Sequence, residues 1–104
     1  MHNIINILKA IIIRLLMSEK LKERVLSSLR KVYDPELGRS IVDLNMVKNI
    51  IVDKDGKVTI EMTLTTPFCP LMNLILAMAK KAAEEVEGVS EAKVKVIGYE
   101  LPSI

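Results

Sequence analysis

The single cysteine of the chain, Cys69, lies in the segment TLTTPFCPLM, between a strand-like stretch and Pro70. Proline is favoured in the first turn of a helix, so we expect Cys69 at a helix N-terminus. Unpaired backbone N–H groups and the helix dipole stabilise an anion there, and we expect the pKa of the thiol to be lowered. Thr65 and Thr66 add hydroxyl donors nearby. The segment predicts a thiolate that attacks electrophiles or binds metal, and a small buried apolar side chain is the alternative.

Three kinds of chemistry use a thiol in such a position. A Cys–His nucleophile pair is disfavoured, because the one histidine is His2, in an unusual N-terminal stretch. A thiol peroxidase is favoured by Thr66, since Thr-x-x-Cys is also found in peroxiredoxins, but Met62 stands where that motif has a proline and the chain is short for their fold. A metal or iron–sulfur site needs more ligands than Cys69, so a labile site shared between two subunits or with a partner protein is expected.

Composition indicates one small domain in a reducing compartment. The chain has 104 residues, 50% of them hydrophobic, which is enough for a single core. One cysteine excludes a disulfide framework within the chain and a four-cysteine zinc site, so we expect a cytoplasmic protein. The formal net charge of +2 gives no sign of nucleic-acid binding.

Residues 1–16, MHNIINILKAIIIRLL, are apolar but are interrupted by Lys9 and Arg14. The apolar runs are too short to span a membrane, and no small-residue cleavage site follows them. The apolar residues form a helical stripe that loses its phase near Ser18, which is a suitable N-cap for a new helix. We therefore expect residues 1–16 to be an upstream extension or an interaction helix, and residues 17–104 to be a single domain.

The spacing of apolar residues predicts two helices, over residues 18–32 and 70–87, and three strands, over residues 40–53, 57–64 and 92–96. The turn sequence DKDG, between the first two strands, predicts a hairpin. The order helix-strand-strand-helix-strand predicts an α+β fold, a two-layer sandwich with both helices on one face of a three-stranded mixed sheet.

Two stretches, DPELGRSIVDLNMV and VTIEMTLTTPFCPL, resemble the linked motifs of the family of small metal–sulfur cluster biosynthesis proteins that includes SufT, PaaD and the eukaryotic cytosolic iron–sulfur targeting factor. The resemblance covers about residues 21–97. It implies an α+β fold and a role in maturing or delivering iron–sulfur clusters. By position, the acidic pair of the family corresponds to Glu36 and Asp43, and its reactive thiol corresponds to Cys69, beside the two threonines.

The resemblance therefore implies an iron–sulfur cluster assembly or transfer factor, and not an enzyme. Its cofactor would be a labile cluster held by Cys69 and shared between subunits or with a partner. Iron–sulfur scaffold or carrier proteins and apo-client proteins are the implied partners, and a homodimer is expected, without a membrane span. An adaptor that holds no cluster is the alternative function, and a thiol peroxidase is the third.

The acidic residues also have a structural interpretation. Asp34, in the turn sequence DPELG, is expected to cap the loop, and Glu36 is then a solvated charge. Asp43 lies between two apolar residues in a β-branched run, so we expect it to be buried beside backbone donors or near the thiol. Asn45 stands where the family commonly has glycine, and both residue types tolerate left-handed backbone geometry.

Overall fold

The computed structural model describes residues 4–64 and 72–99. Its elements in chain order are α1 (Ile4–Leu29), β1 (Tyr33–Asp34), β2 (Arg39–Ser40), β3 (Val47–Val52), β4 (Lys57–Leu64), α2 (Met72–Glu84) and β5 (Glu91–Tyr99). Strand β4 pairs antiparallel with β3 and parallel with β5 in one three-stranded sheet, and β1 pairs antiparallel with β2 in a separate ribbon. The predicted α+β class and mixed sheet are confirmed, whereas the sequence pattern does not predict the β1–β2 ribbon.

The core lies between the two helices and the central strand, β4. Every second residue of β4 is buried, as the alternating pattern predicts: Val58, Ile60, Met62 and Leu64. The helices bury five residues in the same core: Val25, Leu29, Ile75, Ala79 and Ala83. Burial of each large side chain stabilises the fold by roughly 1.5–3 kcal/mol relative to exposure.

The predicted hairpin between β3 and β4 is confirmed, and Asp53 organises its turn. The carboxylate of Asp53 accepts hydrogen bonds from the backbone N–H groups of Lys57 (2.9 Å) and Asp55 (2.8 Å). These donors, the Lys57 amide first, hold the pKa of Asp53 below its ordinary value of 3.8. Gly56 follows with a φ of 80°, a left-handed conformation that favours glycine.

Helix α1 differs from the prediction at both of its ends. It is continuous from Ile4 through Ser18, so the expectation that Ser18 caps a new helix is wrong. The apolar stripe loses its phase there for another reason: residues 4–17 are exposed, and contact with the core begins only in the following turns. The helix ends at Leu29, earlier than expected, because the chain turns there into the β1–β2 ribbon. The proposed domain boundary at residue 17 stays a prediction.

The long helix also bears on the expected absence of a membrane span. Within residues 4–64 and 72–99, no helix combines the length and the apolar character that crossing a membrane requires.

Candidate functional site

One end of the sheet collects the segments that carry the candidate residues. The amide of Thr63, near the end of β4, donates to the carbonyl of Met46, just before β3 (2.8 Å). Leu64, the last residue of β4, is level with Tyr99, the last residue of β5. The start of β3 and the ends of β4 and β5 therefore lie at the same end of the sheet. Residues 65–71, which follow β4 in the chain, lie outside the described residues.

The loop between β1 and β2 is held by Asp34. The side chain of Asp34 is only 4% exposed, and its Oδ1 accepts hydrogen bonds from the amides of Glu36 (2.9 Å) and Leu37 (3.3 Å). The carbonyl of Asp34 accepts a third bond from the amide of Gly38 (2.7 Å), whose φ is 65°. The expectation that Asp34 caps the loop is confirmed. Glu36 lies on this loop, and it is exposed.

Residues 41–45 form a turn that joins this ribbon to β3. The amide of Leu44 donates to the carbonyl of Ser40, and the amide of Asn45 donates to the carbonyl of Val42, both at 3.0 Å. Asn45 has a φ of 59°, so its left-handed geometry is confirmed. The turn, which the sequence predicts as strand, decides which of its side chains reach the core.

Asp43 lies on the outer side of that turn. Ile41 and Leu44 are buried, whereas the side chain of Asp43 is 55% exposed, and the expectation of a buried carboxylate is wrong. A turn does not alternate its side chains as a strand does, so an aspartate between apolar residues can face solvent here. Oδ1 of Asp43 lies 3.7 Å from a guanidinium nitrogen of Arg30, at the C-terminal end of α1. An exposed pair of this kind contributes about 0–1 kcal/mol.

Glu36 and Asp43 lie on two loops that follow each other along the chain, the β1–β2 loop and the turn before β3. Cys69, Thr65 and Thr66 lie outside the described residues, and so does the expected coupling between Asp43 and the thiol. In the described part of the chain, no group of three or more His, Cys, Asp or Glu side chains could hold a metal ion.

Three further residues at this end are not singled out by the sequence pattern. Arg30 meets Asp43 only through the tertiary fold, and no local motif joins these two positions. Tyr33 and Leu37 flank the Asp34 loop, and they are 56% and 41% exposed. An apolar residue inside the turn sequence DPELG is the signal that could have drawn attention to Leu37.

Comparison with known proteins matches the chain to the iron–sulfur cluster assembly protein family over residues 22–96. The chain is 41% identical over 81 residues to the Fe-S protein maturation auxiliary factor YitW of Bacillus subtilis, covering 78% of this chain and 79% of that protein. It is 36% identical over 66 residues to the Fe-S protein maturation auxiliary factor SufT of Staphylococcus aureus, covering 64% of this chain and 75% of that one. An iron-sulfur cluster carrier protein of Synechocystis is 42% identical over 74 residues, which are 71% of this chain and 21% of the carrier.

Among solved structures, a domain of unknown function, DUF59, from Bacillus anthracis superposes with a TM-score of 0.74 at 32% identity, covering 79% of this chain and 78% of that one. The family match, over residues 22–96, contains the Asp34 loop, Asp43 and Cys69. The chain belongs to the iron–sulfur cluster assembly protein family.

Proposed function

We propose that this chain is an iron–sulfur cluster assembly or transfer factor that helps client proteins mature through the thiolate of Cys69. Family membership supports a role in iron–sulfur protein maturation, and similar proteins are named maturation auxiliary factors. The observation that carries the proposal is the extent of the match, because residues 22–96 include both the acidic loops and the cysteine. In this proposal the chain is an accessory factor, and a cluster is its cargo.

The arrangement of charges is consistent with a cationic cargo. A carboxylate close to a thiolate raises the pKa of the thiol unless a cation or a proton is shared between them. Asp43 is exposed and is paired only loosely with Arg30, so it is accessible to a partner or to iron. Cys69 supplies one thiolate, and a second subunit or a partner protein supplies the remaining ligands.

An adaptor that brings a cluster donor to its clients, without holding metal, is the second candidate. The observation that favours it is the pair of exposed apolar side chains, Tyr33 and Leu37, on the end of the domain that carries the acidic residues. Exposed apolar side chains of this size beside polar residues are typical of protein contact sites.

Anaerobic reconstitution with iron and sulfide tests the proposal. The wild-type protein should bind iron and sulfide and absorb visible light, and Cys69→Ser should abolish both. Asp43→Asn should weaken retention while it leaves the fold intact, since only an exposed ion pair is lost. Asp55→Asn is the matched control, because Asp55 is an exposed aspartate on the hairpin at the other end of the sheet. The double variant of Asp43 and Cys69 should lose no more than Cys69→Ser alone.

The other outcomes distinguish the alternatives. A wild-type protein that takes up no iron, while wild type and Cys69→Ser bind partners equally well, would establish the adaptor. Consumption of peroxide with turnover of the thiol would establish the peroxidase. Equal retention of iron and sulfide in Asp43→Asn and Asp55→Asn would show that Asp43 is not part of the site.

A further inference from the structure

The first half of α1 carries a large apolar surface that the rest of the described residues leaves exposed. Ten large apolar side chains within residues 4–17 are between 49% and 71% exposed: Ile4, Ile5, Ile7, Leu8, Ile11, Ile12, Ile13, Leu15, Leu16 and Met17. With on the order of 100 Å² exposed on each, the surface is roughly 1,000 Å², larger than the about 300–600 Å² of the largest patch on a typical monomer. The family match begins at residue 22, so this surface lies outside the shared domain.

The apolar stripe lies beside the core-facing line of α1, and its C-terminal end borders the domain. Ile11 and Leu15 line a groove with Val52 and Gly88 of the same chain. Both side chains are still 49% and 62% exposed, so the described residues leave most of the stripe open to a second molecule.

The spacing of the stripe is that of a coiled-coil seam. Ile4, Leu8, Ile11 and Leu15 are separated by four, three and four residues, which places isoleucine at d and leucine at a. Burial of most of the surface approaches the about 800 Å² per partner of a standard stable interface. Leucine at a with isoleucine at d favours bundles of more than two helices, so an assembly of three or four copies is expected.

A membrane surface fits this helix less well. An interfacial helix needs a strongly polar face opposite its apolar face. Here the face opposite the seam has few polar residues, and it carries the apolar residues Ala10, Ile13 and Met17. Apolar residues on nearly all sides are typical of a helix inside a bundle.

We propose that residues 4–17 of α1 pack, in parallel, against the same segment of other copies of this chain. The charges beside the seam favour the parallel direction. Arg14 occupies a g position and Glu19 the following e position, and g–e′ contacts join neighbouring helices in parallel coiled coils. The side chain of Glu19 is 69% exposed, with only a 3.5 Å contact to Lys22 of its own helix. Parallel pairing also leaves the Asp34 loops of the copies at the same end of the assembly.

Sedimentation equilibrium of the full chain, without iron or sulfide, tests the pairing independently of the proposed function. Ile11→Glu places a charge in the seam and should weaken association at least 100-fold. Ile13→Glu makes the same change on the opposite face, at similar exposure (54% against 49%), and should change association less than threefold. Far-UV circular dichroism and thermal melts should show both variants folded, because neither residue contacts the core.

Exchange of the charges at Arg14 and Glu19 tests whether the helices pack in parallel. Arg14→Glu and Glu19→Arg should each weaken association, and the double exchange should restore it. Independent effects of the two changes would overturn parallel pairing. A wild-type chain that is monomeric at 200 µM, or equal loss in the Ile11 and Ile13 variants, would overturn the seam. A monomer that co-sediments with vesicles of phosphatidylglycerol and phosphatidylcholine would assign the surface to a membrane instead.

Discussion

Replacement of Asp34 by alanine should destabilise the domain by about 2 kcal/mol, because charged hydrogen bonds contribute about 1.5–3 kcal/mol each. The bond to the Glu36 amide, at 2.9 Å, is counted fully, and the bond to Leu37, at 3.3 Å, adds little. Asp34→Asn keeps an acceptor oxygen but loses its charge, so about 1 kcal/mol is expected. The Asp34→Ala loss corresponds to a melting temperature lower by about 10 °C for a domain of this size.

Urea denaturation followed by circular dichroism measures these free energies of unfolding. Asp55→Ala is the matched control, since it removes an exposed carboxylate for which a cost within about 0.5 kcal/mol is expected. The variant Asp34→Ala should also retain less iron and sulfide, because the loop that carries Glu36 is no longer closed. A loss below about 0.5 kcal/mol for Asp34→Ala would refute the reasoning, since water or other groups would then satisfy both amides.

Three further predictions concern the hairpin and the N-terminal segment. Gly56→Ala should cost about 3 kcal/mol, since φ is 80° and the added Cβ would lie 2.6 Å from the carbonyl oxygen of Gly88. Gly38→Ala, where nothing lies within 4 Å, should cost about 1 kcal/mol in the same urea titration, and equal costs would contradict the clash. A chain that begins at Met17 should melt cooperatively within a few degrees of the full chain, at concentrations where the full chain is monomeric, and an unfolded product would show that residues 1–16 are needed for folding. The folded protein holds the pKa of Asp53 below its unfolded value of 3.8, so the ionised carboxylate stabilises the fold above that pH. The stability advantage of wild type over Asp53→Asn should therefore narrow as the pH falls below 3.8, and a constant difference would contradict this.

Much of the fold can be predicted from the sequence because the strongest patterns are local. Alternation over residues 57–64 is the direct consequence of a strand with one buried face, and β4 has these bounds. The capping role of Asp34 is equally local, since a short carboxylate next to proline reaches the amides two and three residues ahead. The two motifs likewise identify the family, because residue types at a fixed separation do not depend on knowledge of the contacts between them.

The tertiary structure decided what depends on neighbours distant in sequence. A change of phase in an apolar stripe looks the same in the sequence whether one helix ends there or a single helix extends beyond the core. In the structure α1 is one helix that runs unbroken through Ser18, and its residues before Ser18 are exposed. Asp43 is exposed because the chain turns at residues 41–45 before β3 begins, and its contact with Arg30 exists only because α1 ends beside that turn. β-Branched residues favour a strand but do not determine where it starts, since pairing with β4 fixes the start of β3 at Val47.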